Sequence, residues 1–442
     1  MTRPNRMVCA VRGFTLVLLL VLCGCASYSN SFAPIAAEIA AQDKERALEL
    51  LAKTKTPERN RLLHLMDRGM LLSMNGEYVA SSQEFAEAKK LVEELNALSL
   101  REQTTALMIN DGTCSYAGAP YEQVMLNLYS ALNYLELGQL DEARVEALQL
   151  DLLLGELGDK EVGPLFADNP FARYLTALIY EAGGEWSDAM IAYRSAYQAY
   201  LQHRDRYPLD VPRQLEYDLL RASEAVGLIE ENRQYADDFA IDSWQSADQV
   251  SDHGELVFIF HNGLAPVKIE QAIMVPVPSR NLLVRVALPA YLRRPASFST
   301  ARLRIGGREV QTEAFANIEE LAIAELERNQ PAILARATAR AMLKYQMSNK
   351  AGKENELAGL LINITGLLTE RADTRSWLSL PASIQLARVA LPPGEYDLEV
   401  ELLDAAGRPV RKLFYPATRL VSGRKTFISC HEVAEGSLLG RH

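Results

Sequence analysis

The stretch Ala131-Leu132-Asn133-Tyr134-Leu135-Glu136-Leu137-Gly138-Gln139-Leu140-Asp141-Glu142-Ala143-Arg144 decides how the first half of the chain folds. Residues three apart share one side of a helix, so Ala131 and Tyr134 present a small and a large group to the same neighbour. Gly138 supplies the tight turn, and Ala143 lets the returning helix come close. The same offsets recur at Gly69, Leu72 and Gly76, followed by Phe85 and Ala88. They recur again at Ala177, Tyr180 and Gly184, followed by Ala189, Tyr193 and Ala196. Three such matches in one helical stretch predict stacked helical hairpins.

Between about residues 33 and 240 apolar residues keep a spacing of three and four, and the pattern is that of a tetratricopeptide-like α-solenoid with irregular spacers. A helix over about Pro34–Lys53 is expected to cap its front, and segments 211–227 and 228–239 its back. The first helix of each pair would line a concave groove with Leu63, Met66, Met70, Met125, Leu128, Leu132, Leu135, Phe171 and Tyr174. That lining is apolar. Either the chain fills the groove itself, or the groove accepts an apolar helix of a partner, with Met66, Met70, Phe171 and Tyr174 as candidate contacts. Residues 110–122 form a Gly-, Pro- and Asp-rich loop between the first two repeats. They make Tyr116 and Tyr121 further candidate contacts, or else a plain connection.

After Ser243 the texture changes. Segments 255–261, 268–275, 282–288, 384–390, 396–403 and 426–433 are rich in branched apolar residues and bounded by turn formers, and they read as strands. Gly306-Gly307 marks a hairpin and Pro392-Pro393-Gly394 a turn. A helical insert over about 315–370 is expected to break at Pro331 and near 350–353. The expected class is therefore α+β and multidomain. The helical unit spans 33–240, and a β-sandwich-like unit with a helical insert spans 250–442.

The beginning of the chain carries a different message. Arg3, Arg6 and Arg12 precede an apolar run, Phe14–Leu22, that is too short to span a bilayer stably. The run ends in Leu22-Cys23-Gly24-Cys25, the arrangement of a bacterial lipobox. Residues 1–24 are thus expected to be a lipoprotein signal peptide, with Cys25 lipidated and 25–32 a polar tether. The residue after Cys25 is Ala26, not Asp, and in a Gram-negative host this implies sorting to the outer membrane with the body in the periplasm.

Composition narrows the partners. Removing the three signal-peptide arginines takes the formal charge of the 442-residue chain from −11 to −14. An acidic body of this kind suits neither nucleic acid nor anionic lipid bound through a basic face. Of five cysteines, Cys114 and Cys430 remain besides Cys25 after cleavage; they could form one clamp between the halves or stay unpaired. The six histidines show no zinc spacing, and no nucleophile elbow or phosphate loop occurs. Cys430-His431-Glu432 lies on a strand whose neighbours face opposite ways, which excludes a dyad by adjacency. Asp373-Thr374-Arg375-Ser376-Trp377 is the most distinctive short run. Asp373 and Arg375 could pair, and Trp377 could anchor the insert against the sheet. No catalytic residue, metal or cofactor is expected beyond the covalent lipid, and no small-molecule substrate is evident.

One resemblance draws on the lipobox, Tyr116–Glu122, Ala131–Tyr134 with Ala143–Glu146, Phe258–Gly263, Asp373–Trp377, Leu380-Pro381, Ala387-Arg388 and Leu391–Gly394. Over most of its mature length the chain resembles a family of Gram-negative lipoproteins with tetratricopeptide repeats. The resemblance implies an outer-membrane location and brings no catalytic residues with it. Relatives of that family occur beside small lipoproteins similar to penicillin-binding protein activators. The leading expectation is an envelope adaptor holding other envelope proteins, tied to the membrane by its lipid. A regulator of peptidoglycan synthesis comes second, and an envelope enzyme third.

Overall fold

The four turn glycines Gly76, Gly138, Gly184 and Gly227 all adopt left-handed backbone, with φ of +76°, +68°, +75° and +74°. Each joins two helices that pack side by side. The computed structural model describes residues 28–102, 111–159, 169–204, 209–277, 282–295, 297–354 and 371–435. Among these, five hairpins follow one another: α1 (Tyr28–Ala40) with α2 (Lys44–Lys53), α3 (Arg61–Met74) with α4 (Tyr78–Glu102), α5 (Pro120–Glu136) with α6 (Leu140–Asp159), α7 (Pro170–Ala182) with α8 (Trp186–His203), and α9 (Arg213–Ala225) with α10 (Ile229–Phe239). The second helix of each packs on the first helix of the next. Close approach inside a pair rests on small residues. A Cβ on Gly69 would stand 2.5 Å from the Phe85 ring, so only glycine lets α3 and α4 meet there.

Two expectations at the front change. The predicted single cap helix is the α1–α2 pair, turned at Gln42, whose φ is +66°. The helix also begins at Tyr28, inside the stretch expected to be a tether. The reason is packing: Tyr28, Phe32, Ile35, Ala36 and Ile39 form a buried stripe, and the serines and asparagine between them only looked like a linker. The signal peptide and Cys25 lie outside the described residues. At the back, the two expected sealing segments are α9 and α10, a further hairpin turned at Gly227.

The second half opens with α11 (Ala247–Ser251) and continues through β1 (Gly254–Asn262), β2 (Val267–Val277), β3 (Leu282–Leu292), β4 (Thr300–Ile305), β5 (Arg308–Gln311) and β6 (Glu313–Asn317). Helix α12 (Ile318–Glu354) precedes β7 (Ser383–Leu391), β8 (Gly394–Leu403), β9 (Pro409–Leu420) and β10 (Lys425–Glu432). Two open four-stranded sheets run β10-β1-β7-β6 and β5-β4-β8-β9, and β2 with β3 makes a separate hairpin. β1 lies antiparallel to β7 but parallel to β10, pairing Phe258 with Ala387 and with Ile428. The first sheet is therefore mixed, not the all-antiparallel layer of the sandwich reading.

Every residue of β1 is buried, because both faces of its sheet are covered. Leu256, Phe258 and Phe260 join Leu303, Ile305, Leu398, Val400 and Leu402 of the second sheet in one apolar layer. Val257 and Ile259 point the other way and enter the core of the helical array, so the two halves share one hydrophobic interior. Helix α12 runs unbroken through Pro331 for 37 residues, against the expected break. It lies along β3, with Val286, Leu288 and Ala337 buried between them. Residues 355–370 of the expected insert lie outside the described residues, and Phe315 belongs to β6, not to the insert. No helix among the described residues is long and apolar enough to cross a membrane.

Candidate functional site

The groove positions read from the repeats do lie together, and they are closed. Leu63, Met66, Met70, Met125, Leu128, Phe171 and Tyr174 are at most 1% exposed, and Leu132 and Leu135 only 4%. Of the two alternatives, self-filling is the one realised, and Met66, Met70, Phe171 and Tyr174 are core residues, not an open partner surface. The occupants come from the second half. Phe315 of β6 packs 4.4 Å from the Tyr174 ring and 6.2 Å from that of Phe171. Tyr200 donates to its carbonyl at 2.6 Å. Trp377 inserts between Phe85 and Tyr129, with ring centroids 6.0 and 6.1 Å away. Trp377 thus anchors its segment in the helical groove, not the insert against the sheet.

Carboxylates of the array hold this segment by its backbone. Glu122 Oε1 accepts the Trp377 amide at 2.7 Å, and its Oε2 accepts the Tyr116 hydroxyl at 2.6 Å. Asp67 takes the Ser379 amide at 3.1 Å and hydroxyl at 2.5 Å, together with the Tyr28 hydroxyl at 2.5 Å. Burial pushes the Asp67 carboxyl up to about 7, although these bonds pull it down. Asp373 and Arg375 pair as expected, at 2.7 Å. Arg375 also donates to the Cys114 carbonyl at 2.9 Å and stacks over Tyr116, which ties the 110–122 loop to the second half. Tyr116 and Tyr121 are accordingly buried, at 8% and 2% exposure, and serve the seam instead of a partner.

A second lock is ionic. Arg388 of β7 donates to Glu181 of α7 at 2.7 Å, to Asp218 of α9 at 2.9 Å and to Glu255 of β1 at 2.7 Å. Lys425 pairs with Glu181 at 2.9 Å and with Glu255, and Arg221 adds 3.4 Å and 3.5 Å contacts to Glu181 and Asp218. Three acids thus meet three bases, almost wholly out of water. Burial works against every one of these charges, but the guanidinium and ammonium hold Glu255 down at about 2. No local pattern marks Arg388 for this role, because its partners are remote in the chain.

Of the two alternatives for Cys114 and Cys430, a clamp between the halves or two unpaired thiols, the structure has the second. Both thiols are free, Cys114 on the surface and Cys430 buried on β10. Cys430 points into the layer between the sheets with Phe258 and Phe260, and burial pushes its thiol far up. His431 faces the other way, as strand alternation requires, and donates its Nε2 proton to the Gly263 carbonyl at 2.7 Å. It and His261, whose Nδ1 is 3.0 Å from the Tyr129 hydroxyl, are both held neutral by burial. Among the described residues no three His, Cys, Asp or Glu side chains gather as metal ligands.

No protein-family model and no curated protein matches the chain. Solved structures match it over about half of its length. MamA from AMB-1 is 12% identical with a TM-score of 0.29, covering 49% of this chain and 93% of its own. A Podosopora anserina kinesin light chain protein with nearly identical TPR-like repeats is 17% identical with a TM-score of 0.29, over 48% of this chain and 92% of its own. The Rap conjugation gene regulator of plasmid pLS20, solved with the Phr* peptide, is 17% identical with a TM-score of 0.27, over 45% and 48%. Scores this low carry no functional weight.

Proposed function

We propose that the chain is a lipid-anchored adaptor of the outer membrane, facing the periplasm, which holds other envelope proteins on its outer surfaces and not in its groove. The filled groove carries this reading. A peptide cannot enter where Phe315 and Trp377 already sit, so partners must meet the body elsewhere. Apart from the two four-stranded sheets stands the β2–β3 hairpin, with α12 along it. Its apolar layer is thin, and Met274 is 58% exposed. In this reading the two facing sheets act as a sandwich-like support for that arm.

The anchor would be short. Tyr28 is buried and its hydroxyl is bound to Asp67, so only Ala26 and Ser27 separate Cys25 from the body. Three residue steps span at most about 11 Å, which would keep the α1 end against the bilayer surface. The test has two arms. Cys25→Ala should abolish lipid labelling and release the protein from membranes; labelling that persists would overturn the anchor. A photocrosslinking residue at position 274 should capture a discrete envelope partner in cells, and one at position 66 should capture none. The reverse pattern would sink the outer-surface adaptor, while recovery of a peptidoglycan synthase from position 274 would turn the reading toward a regulator of that enzyme.

A further inference from the structure

Along the seam the two halves leave a polar hollow beside strand β10. A cavity of about 280 Å³ lies between the α3–α4 turn, α5, the start of α2 and strands β1, β9 and β10. Its wall includes Lys44, Tyr78, Glu136, His261, Tyr415 and His431, and Met70 and Leu132 of the apolar groove close one side of it. A water occupies about 30 Å³ in the liquid, so the space admits a guest on the order of ten non-hydrogen atoms.

The wall holds acceptors that nothing satisfies. Because His431 gives its Nε2 proton to Gly263, its Nδ1 is a bare acceptor, and this buried nitrogen has no hydrogen-bond partner. Oε1 of Glu136 is likewise buried without a partner. The groups acting on the Glu136 carboxyl are Ser429 and Tyr78, neither of them a cation, and burial lifts it to about 7. The nearby ammonium of Lys44 is already committed to Glu432 at 3.5 Å, and Arg411 takes the other oxygen of that carboxylate. Buried acceptors are normally paired, and two left open on one cavity wall call for donors from a guest.

We propose that this cavity is a binding site for a small hydroxylated primary amine, whose ammonium pairs with Glu136 and whose remaining donors reach His431 Nδ1. The positive charge answers the one wall carboxyl that has no cation, and hydroxyl groups suit the tyrosines around it. This inference stands apart from the adaptor reading, since it uses neither the lipid nor the arm.

The test is calorimetric titration of the full-length protein in detergent with glucamine, against sorbitol as the neutral isostere. Glucamine should bind at least tenfold more tightly than sorbitol, and Glu136→Gln should lose at least tenfold of that affinity. In the unaltered protein near pH 7, binding should release protons, read from the dependence of heat on buffer ionisation, because a cation favours the ionised carboxyl. That measurement needs no variant and decides the matter should Glu136→Gln fail to fold. No binding of glucamine, equal binding of sorbitol, or binding without proton release would each overturn the site.

Discussion

Asp67 joins three remote parts of the chain: its own helix α3, Tyr28 at the start of α1, and Ser379, which lies 312 residues away. Its carboxyl, raised by burial from an ordinary value near 3.8 to about 7, binds a proton in the folded protein over a range where the unfolded chain has lost it. Stability from such a group falls as pH rises from about 4 to 7. Glu136 and Glu325, both lifted to about 7 by burial, act in the same direction. Glu255 acts oppositely only below pH about 4.5, and the buried neutral His261 and His431 oppose the slope up to about pH 6.5, where the three raised carboxyls outnumber them. The thermal midpoint should therefore be higher at pH 6 than at pH 8, and Asp67→Asn should flatten part of that slope in scans across this range. A midpoint rising with pH through 6–8 would contradict the buried, protonated Asp67. None of this was legible in Met66-Asp67-Arg68, because the dry surroundings of Asp67 are made by residues hundreds of positions away.

At the scale of elements, the sequence was readable where a local rule repeats. Turn glycines at fixed offsets from small helix residues located three hairpins, and the Gly306-Gly307 hairpin followed from the same turn chemistry. β9 escaped because it begins at a proline and carries Arg411, Lys412 and Pro416; an edge strand tolerates these where a central one does not. β6 was absorbed into the helical insert because its Ala-rich sequence has no strand signature, and Phe315 declares itself only by filling the groove. Gly69 shows what the readable pattern means physically. An added methyl would meet the Phe85 ring at 2.5 and 2.7 Å, and Phe85 cannot retreat because Trp377 and Tyr129 flank it. Gly69→Ala should cost about 1–3 kcal/mol in denaturant unfolding. Phe85→Leu in the same chain should recover part of that loss, with a coupling of at least about 0.5 kcal/mol. Gly138 has open space around it and φ of +68°, so Gly138→Ala should cost backbone strain alone and show no coupling to Phe85.

At the scale of the whole molecule, the sequence suggested two units and the structure joins them into one body. The boundary near residues 240–250 was visible as a change of texture, from period-three-and-four helices to β-rich segments. What crosses that boundary was not, since pairing of Arg388 with Glu181 and Asp218 depends on how the sheet docks, not on any local pattern. A shared interior and a buried six-charge lock predict that array and sheets unfold together. Of the three tryptophans, Trp377 is fully buried in the groove, so the part of the fluorescence change that it carries reports the seam, while far-ultraviolet dichroism follows mainly the helices. The two urea curves should coincide in the unaltered protein. Arg388→Leu leaves Glu181, Asp218 and Glu255 facing only Arg221 and Lys425, and removing one partner of a buried charge pair costs about 3–5 kcal/mol. Both curves should then move together to lower urea by that amount. Were the halves independent, two transitions would be resolved in the unaltered protein and the substitution would move only the one reporting the sheets; that outcome would also remove the ground for placing partners outside the groove, because a sheet unit that detaches leaves Met66, Met70 and Phe171 open to a peptide.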